Sequence, residues 1–212
     1  MDEQCTTHWT KARMRDELQG ASFCRFLSER ARDALTAVAQ VGHYPRGAVI
    51  TLEGEPAESM YIVLCGRVKV TRTSSDGREQ ILHIVKPGDH FNTVPVFDGG
   101  SCPGTNTAMD ACDLMILPRA AIEQLVHDYP ELAQALLREL AGRLRRMTAM
   151  VADLGLYSVH VRLARLLLRE AAGNAAGGAL TQVEMAAQLG TVREVVSRTL
   201  KSFEAEGLIV IV

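Results

Sequence analysis

TQVEMAAQLGTVREVVSRTLK, residues 181–201, holds two short helical patterns on either side of a single glycine, Gly190. Met185, Ala186 and Leu189 recur at helical steps before it, and Val192, Val195, Val196 and Leu200 after it. Thr181 is placed to cap the first pattern, and Glu184 completes a capping box. Ala186 lets two helices come close, while Gly190 stands where the chain must turn sharply, a position that favours positive φ. The spacing predicts a helix-turn-helix, with Val192, Val195, Val196 and Leu200 as the inner face of a second helix free to enter a major groove.

The outer face supports that reading over a plain helical hairpin. Arg193, Glu194, Ser197 and Arg198 follow closely at the start of the second helix, and positions 194, 197 and 198 share one side by their i, i+3, i+4 spacing. Arginine can take both acceptors of a guanine and glutamate can accept from cytosine N4. Ser197 suits a base edge or a thymine methyl, and Arg193 a base or a phosphate. Thr181 and Gln182, at the start of the first helix, are candidate phosphate contacts. Double-stranded DNA is therefore the expected partner.

Upstream, PELAQALLRELAGRLRRMTAMVADLGLY carries Leu137, Leu140, Leu144, Met147, Val151 and Leu154 at steps of 3, 4, 3, 4 and 3. That is a two-in-seven seam, narrower than the stripe a helix needs to lie on its own domain, and it predicts pairing with a second copy. Ser158 reads as the cap of a further amphipathic helix, and 172–178 as a small-residue loop. Nearer the start, 22–40 reads as one or two short helices, the second capped at Ser28.

Between these helical parts the period changes. Glycines at 54, 66, 77, 88 and 99 stand at intervals of 12, 11, 11 and 11 residues among short β-branched runs. Such spacing predicts a small antiparallel sandwich or barrel. Ser75-Asp76-Gly77 and Pro87-Gly88-Asp89 are turn signals. MYIVLCGRVKV reads as one core strand, apolar on both faces at first and then alternating. The fold class is α+β: an N-terminal extension at 1–20, an antiparallel β-roll sensor domain at 21–128, a dimerisation helix at 129–157 and a helix-turn-helix domain at 158–212.

Composition adds limits. The 212 residues are 47% hydrophobic and 23% charged with a net charge of −2, ordinary for a globular chain. No apolar run suits a membrane span, and the polar N-terminus lacks a secretory leader, so the expected location is the cytoplasm with no membrane partner. Five scattered cysteines and no C-x-x-C pair argue against a disulfide framework or a structural zinc site. The histidines at 8, 43, 83, 90, 127 and 160 form no cluster, and no catalytic constellation stands out, so no enzyme and no metal site is expected.

A glycine-punctuated roll, a heptad helix and a C-terminal helix-turn-helix resemble the cyclic-AMP receptor protein/fumarate-nitrate regulator superfamily of transcription factors. GEPAESMYIVLCGRVKV, DGREQILHIVKPGD and E-x-x-S-R at 194–198 carry the resemblance, which spans about residues 22–209. It implies a homodimer reading an inverted repeat with a TG step in each half, RNA polymerase as a further partner, and an effector pocket in the roll. Candidates for that pocket are Asn92, Thr93, Val94, Asn106 and Thr107, with Thr148 on the long helix.

Two departures matter. Cyclic-nucleotide binders of the family follow Gly-Asp-x-Phe with Gly-Glu and later carry Arg-Ser/Thr-Ala; here GDHF precedes Asn92-Thr93, and the later triplet is Asn106-Thr107-Ala108. Without the arginine, a bound phosphate would be a poorly compensated buried anion, so cyclic AMP is not the expected effector. Haem stays open as a cofactor, with His83, His90 and the cysteines as axial candidates, and so does a thiol switch of Cys102 and Cys112, against which stands the reading of two inert buried thiols. An N-terminal iron–sulfur cluster is not expected from Cys5 and Cys24. The family's two-stranded wing after the reading helix is reduced here to EGLIVIV, at most one apolar strand. A ligand-binding module with a degenerate DNA-binding end is the competing function.

Overall fold

The computed structural model describes residues 8–21, 23–75, 77, 79–171 and 180–210, and the side chain of Leu154 falls outside this description. The 172–178 loop, Asp76 of the turn signal and the last two residues also lie outside it. The chain divides into two compact units, Met1–Gly142 and Arg143–Val212, so the division falls inside one long helix.

The first unit opens with helix α1, Lys11–Gly20, inside the stretch expected to be a mere extension. Three contacts explain why it is ordered. Met14 and Leu18 are buried; the Trp9 indole donates to Asp113 Oδ2 at 2.7 Å; and the Lys11 ammonium reaches the carbonyls of Thr36, Ala37 and Ala39 at 2.6, 3.0 and 2.8 Å. Those carbonyls end α2, Glu29–Val38, where a cation complements the helix dipole. Ser28 caps α2 as expected, accepting from the Ala31 N–H at 3.2 Å.

Among the described residues eight strands follow in two four-stranded antiparallel sheets: β1 (Gln40–Tyr44), β8 (Cys112–Pro118), β3 (Ser59–Cys65) and β6 (His90–Phe91) in one, and β2 (Val49–Thr51), β7 (Thr105–Ala108), β4 (Val68–Thr73) and β5 (Glu79–Val85) in the other. All five regularly spaced glycines have positive φ, between 73° and 86°. Gly66 corrects the reading of MYIVLCGRVKV as one strand. Its φ is 80°, and an added Cβ would meet the Ala111 carbonyl oxygen at 2.4 Å. There the chain leaves one sheet as β3 and enters the other as β4.

The doubly apolar face of β3 then has a simple cause. Met60, Ile62 and Leu64 pack on the helices, with Met115 and Leu117 of β8 beside them. Val63 points the other way, with Leu114 of β8, into a core shared with Val68 and Val70 of the second sheet. Burying each such side chain is worth about 1.5–3 kcal/mol. A short helix α3, Thr93–Asp98, interrupts the strands, and α4, Arg119–Asp128, closes the roll with Ile122 and Leu125 buried. Neither helix was anticipated.

Helix α5 runs Pro130–Leu156. Leu132, Ala135 and Leu136 belong to the first unit's core. In the second unit, α6 (Val159–Arg169), α7 (Gln182–Leu189) and α8 (Arg193–Ala205) enclose Leu163, Leu166, Ala186, Leu189, Val196, Leu200 and Phe203. Ser158 caps α6 as expected. Among the described residues no strand follows α8, and no helix is long and apolar enough to cross a membrane.

Candidate nucleic-acid interface and sensor site

The helix-turn-helix is built from local rules. Thr181 caps α7: its hydroxyl oxygen accepts from the Glu184 N–H at 3.2 Å, while Glu184 Oε2 accepts from the Thr181 N–H at 2.8 Å. At the far end Gly190 has φ 60°, the Thr191 N–H reaches the Ala186 carbonyl at 3.0 Å, and the Gly190 N–H reaches Ala187 at 3.3 Å. This pair of bonds is a Schellman motif, which stops a helix and redirects the chain. The Leu189 carbonyl beside them accepts from Arg162 Nη1 at 2.7 Å.

Helix α8 begins at Arg193. Val196 and Leu200 are buried and Val195 half-buried, as expected, but Val192 departs from the inner-face reading: it is the N-cap residue, with extended φ/ψ, and is 45% exposed. A residue outside the helix does not follow the helical period. Arg193, Glu194 and Arg198 are exposed and Ser197 half-buried, and the four line one open concavity with Lys201. Lys201 was not singled out from the sequence, although it lies one turn beyond Ser197 at i+4. The face presents three cations to one carboxylate, suited to a polyanion. Gln182 is half-buried at the start of α7; the Thr181 hydroxyl, by contrast, is committed to the capping box.

Of the seam residues, Leu137, Leu144, Met147 and Val151 are 63–69% exposed on α5, and Leu140 is half-buried. None of these five side chains belongs to the described apolar cores of either unit.

In the roll, Asn92 is the single non-glycine residue with positive φ among those described, at 59°. It stands where the family's nucleotide binders place glycine, and asparagine tolerates this region better than most residues. Asn106 Nδ2 donates to Thr51 Oγ1 at 2.6 Å and to Asn92 Oδ1 at 3.1 Å, and Asn92 Nδ2 approaches Cys102 Sγ at 3.6 Å. Asn92, Asn106 and Cys102 are buried, and the cluster holds no charge. Thr93 is buried too, but its hydroxyl faces His90 Nδ1, whose Nε2 lies 3.1 Å from Glu139 Oε1 on α5. Val94 is 51% exposed and Thr107 half-buried, so neither joins this cluster. Thr148 belongs to the second unit, where its hydroxyl donates to the Leu144 carbonyl at 2.9 Å.

Burial pushes the Cys24, Cys102 and Cys112 thiols up, which disfavours the reactive thiolate. His90 has both ring nitrogens engaged, and His83 is exposed on β5. No group of three or more metal-binding side chains occurs among the described residues.

Comparison with known proteins agrees with this architecture. The cyclic nucleotide-binding domain family matches residues 41–129, and the Crp-like helix-turn-helix domain family matches residues 161–212. A CRP-like cAMP-activated global transcriptional regulator from Mycobacterium tuberculosis is 38% identical over 184 residues, 83% of this chain and 82% of that one. The structure of the catabolite activator protein of Thermus thermophilus is 28% identical, covers 91% of both chains and superposes with a TM-score of 0.60. FixK2 from Bradyrhizobium japonicum is 29% identical, covering 82% of this chain and 88% of its own, with a TM-score of 0.67. A cyclic-nucleotide-binding fold followed by a DNA-binding helix-turn-helix, with a relative this similar over most of its length, identifies the chain as a member of the cyclic-AMP receptor protein/fumarate-nitrate regulator superfamily, a transcription regulator and not an enzyme.

Proposed function

We propose that the protein acts as a homodimer that reads an inverted-repeat operator containing a TG step in each half. Two α5 helices pair along Leu137, Leu140, Leu144, Met147, Val151 and Leu154, and two α8 helices enter successive major grooves about 34 Å apart. Glu194, Ser197 and Arg198 contact base edges, Arg193 and Lys201 contact bases or phosphates, and Gln182 approaches a phosphate at the start of α7 with Thr181 holding that helix end. RNA polymerase is the downstream partner that membership of this family suggests.

The observation that carries this reading is the α8 face: Arg193, Glu194, Ser197, Arg198 and Lys201 line one open concavity, while Val196 and Leu200 anchor the opposite side in the core. The seam exposures favour the dimer. The Mycobacterium relative's name states activation by cAMP, and that property is not carried over. The positions expected to hold ribose and phosphate are Thr93 and Asn106; neither is charged, and both already bond within the protein. The effector is instead a molecule without a phosphate anion. The contact of His90 with both Thr93 and Glu139 offers a route from the roll to α5.

Selection of duplexes from a random library on the purified protein tests the proposal, together with sedimentation. The expected result is a dimer that enriches a two-fold symmetric site, with affinity unchanged by added cAMP. Enrichment of unrelated sequences, or a tenfold gain with cAMP, would overturn the corresponding half of the reading.

A further inference from the structure

Arg162 lies on the inner side of α6, only 7% exposed, among the leucines that hold the helix-turn-helix together. Its Nη1 donates to the Leu189 carbonyl, and its Nε is also buried, with no hydrogen-bond partner among the described residues. A guanidinium taken out of water and only partly satisfied is costly. An apolar side chain of similar volume in such a place is commonly as stable or more so. Stability alone is therefore a weak reason for an arginine here, and its contact points to a different one.

Leu189 is the last residue of α7, and the carbonyls at a helix C-terminus carry the negative end of its dipole. The Schellman bonds occupy the Ala186 and Ala187 carbonyls, and the guanidinium takes the Leu189 carbonyl by a charge-assisted bond, stronger and more directional than a neutral one. Gly190, Thr191 and Val192 separate that point from Arg193, the first residue of α8. Apolar packing of Val196 and Leu200 sets how close α8 lies to the core but is non-directional. At a rise of 1.5 Å per residue, a tilt of about 10° at the turn displaces the backbone at Lys201 by about 2 Å relative to Arg193. Bidentate base contacts tolerate only a fraction of that.

We propose that Arg162 is a positioning residue for operator reading: by holding the Leu189 carbonyl it fixes the angle at which α8 leaves the turn. It touches no DNA, and the assignment rests on the operator-reading function proposed above.

The test compares wild type, Arg162→Met and Arg162→Lys. For each, the thermal midpoint is measured, along with affinity for the selected operator and for a scrambled duplex of equal length and composition. Methionine keeps much of the length and apolar packing without a strong donor. Its midpoint should stay within about 4 °C of wild type. Operator affinity should fall tenfold or more while scrambled-duplex affinity changes less than twofold, so the ratio of the two collapses. Lysine still offers a charged donor to the Leu189 carbonyl and should recover the ratio to within threefold of wild type. Equal losses on both duplexes, or an unchanged ratio in R162M, would overturn the positioning role. If R162M does not fold, Arg162→Gln is read by the same ratio and the same criterion. A wild-type protein with no preference for any duplex overturns the operator reading and this role with it. A discriminating wild type beside an equally discriminating R162M overturns the positioning role alone.

Discussion

The roll's polar cluster and the α8 face are two solutions to the same problem of where to keep hydrogen-bonding groups. In the roll, Asn92, Asn106, Thr51 and Cys102 lie close together and bond mostly to one another, without a charge. On α8, Arg193, Glu194, Arg198 and Lys201 are exposed and charged. Mutual bonding holds the first region together, although the buried Asn106 Oδ1 finds no hydrogen-bond partner among the described residues, and such an orphan is expensive. Outward display leaves the second free to bond a ligand at little cost to the fold. In the absence of effector, substitutions in the two regions should therefore separate: variants of the roll cluster change stability, and variants of the α8 face change DNA binding.

The largest expected effect breaks the proposed pairing of α5 helices that would bring two α8 helices to one operator. Leu144→Glu with Met147→Glu places like charges on the exposed seam. Such a protein should sediment as a monomer and lose about 100-fold or more in operator affinity, the scale of avidity lost when two linked contacts become one. An unchanged dimer would show that α5 does not pair along this line.

On the sensor side, Asn106→Ala removes the donor shared by Thr51 and Asn92, and chemical denaturation should register a loss of about 1–3 kcal/mol. Operator affinity of the folded protein should hold within twofold. A tenfold change in affinity would mean that the two regions are not separable. Thr181→Ala removes one side of the capping box and should cost about 1 kcal/mol, visible as a lower melting point, with a small loss of affinity from fraying of α7.

The smallest effect is one of pH. Arg67 Nε lies 2.7 Å from Asp110 Oδ2, and this guanidinium holds the Asp110 carboxyl below its ordinary range. A depressed folded-state pKa contributes stability above the unfolded value of about 3.9, lost as pH falls through the lower folded value. Both side chains are more than a third exposed, so the contribution after screening is at most about 0.5 kcal/mol. Asp110→Asn should flatten this part of the acid limb in urea titrations between pH 5 and pH 2, and leave DNA binding at pH 7 untouched.

Local signals account for what the sequence made legible. Positive-φ glycines, the Ser28, Ser158 and Thr181 caps, and the heptad spacing each depend on residues a few positions apart. The features that escaped depend on partners far along the chain. Helix α1 is held by Asp113 and by the carbonyls that end α2, and its own residues give little amphipathic signal. Helix α4 starts at Arg119, directly after Pro118 ends β8, so strand passes into helix without a glycine to mark the boundary. Gly66 turns the chain between sheets because the Ala111 carbonyl lies behind it. At the sites, the grouping of Arg193, Glu194, Ser197 and Arg198 on one face was legible, but not that Lys201 joins it, since its place one turn on becomes clear only with the helix built. The sensor candidates were drawn from matched positions, and those positions do not reveal that Thr51 and Cys102 complete the cluster, nor that Thr93 turns toward His90.

The central claim is that the α8 face reads sequence directly, and base-pair substitution across the selected operator tests it most directly. Binding of wild type and Arg198→Ala should be measured against all four base pairs at each position of one half-site. The account predicts that Arg198→Ala loses about 1–3 kcal/mol on the best site and becomes indifferent at one base pair, with selection at the other positions intact. A loss spread evenly over every sequence, with each preference retained, would make Arg198 a phosphate contact and contradict the claim.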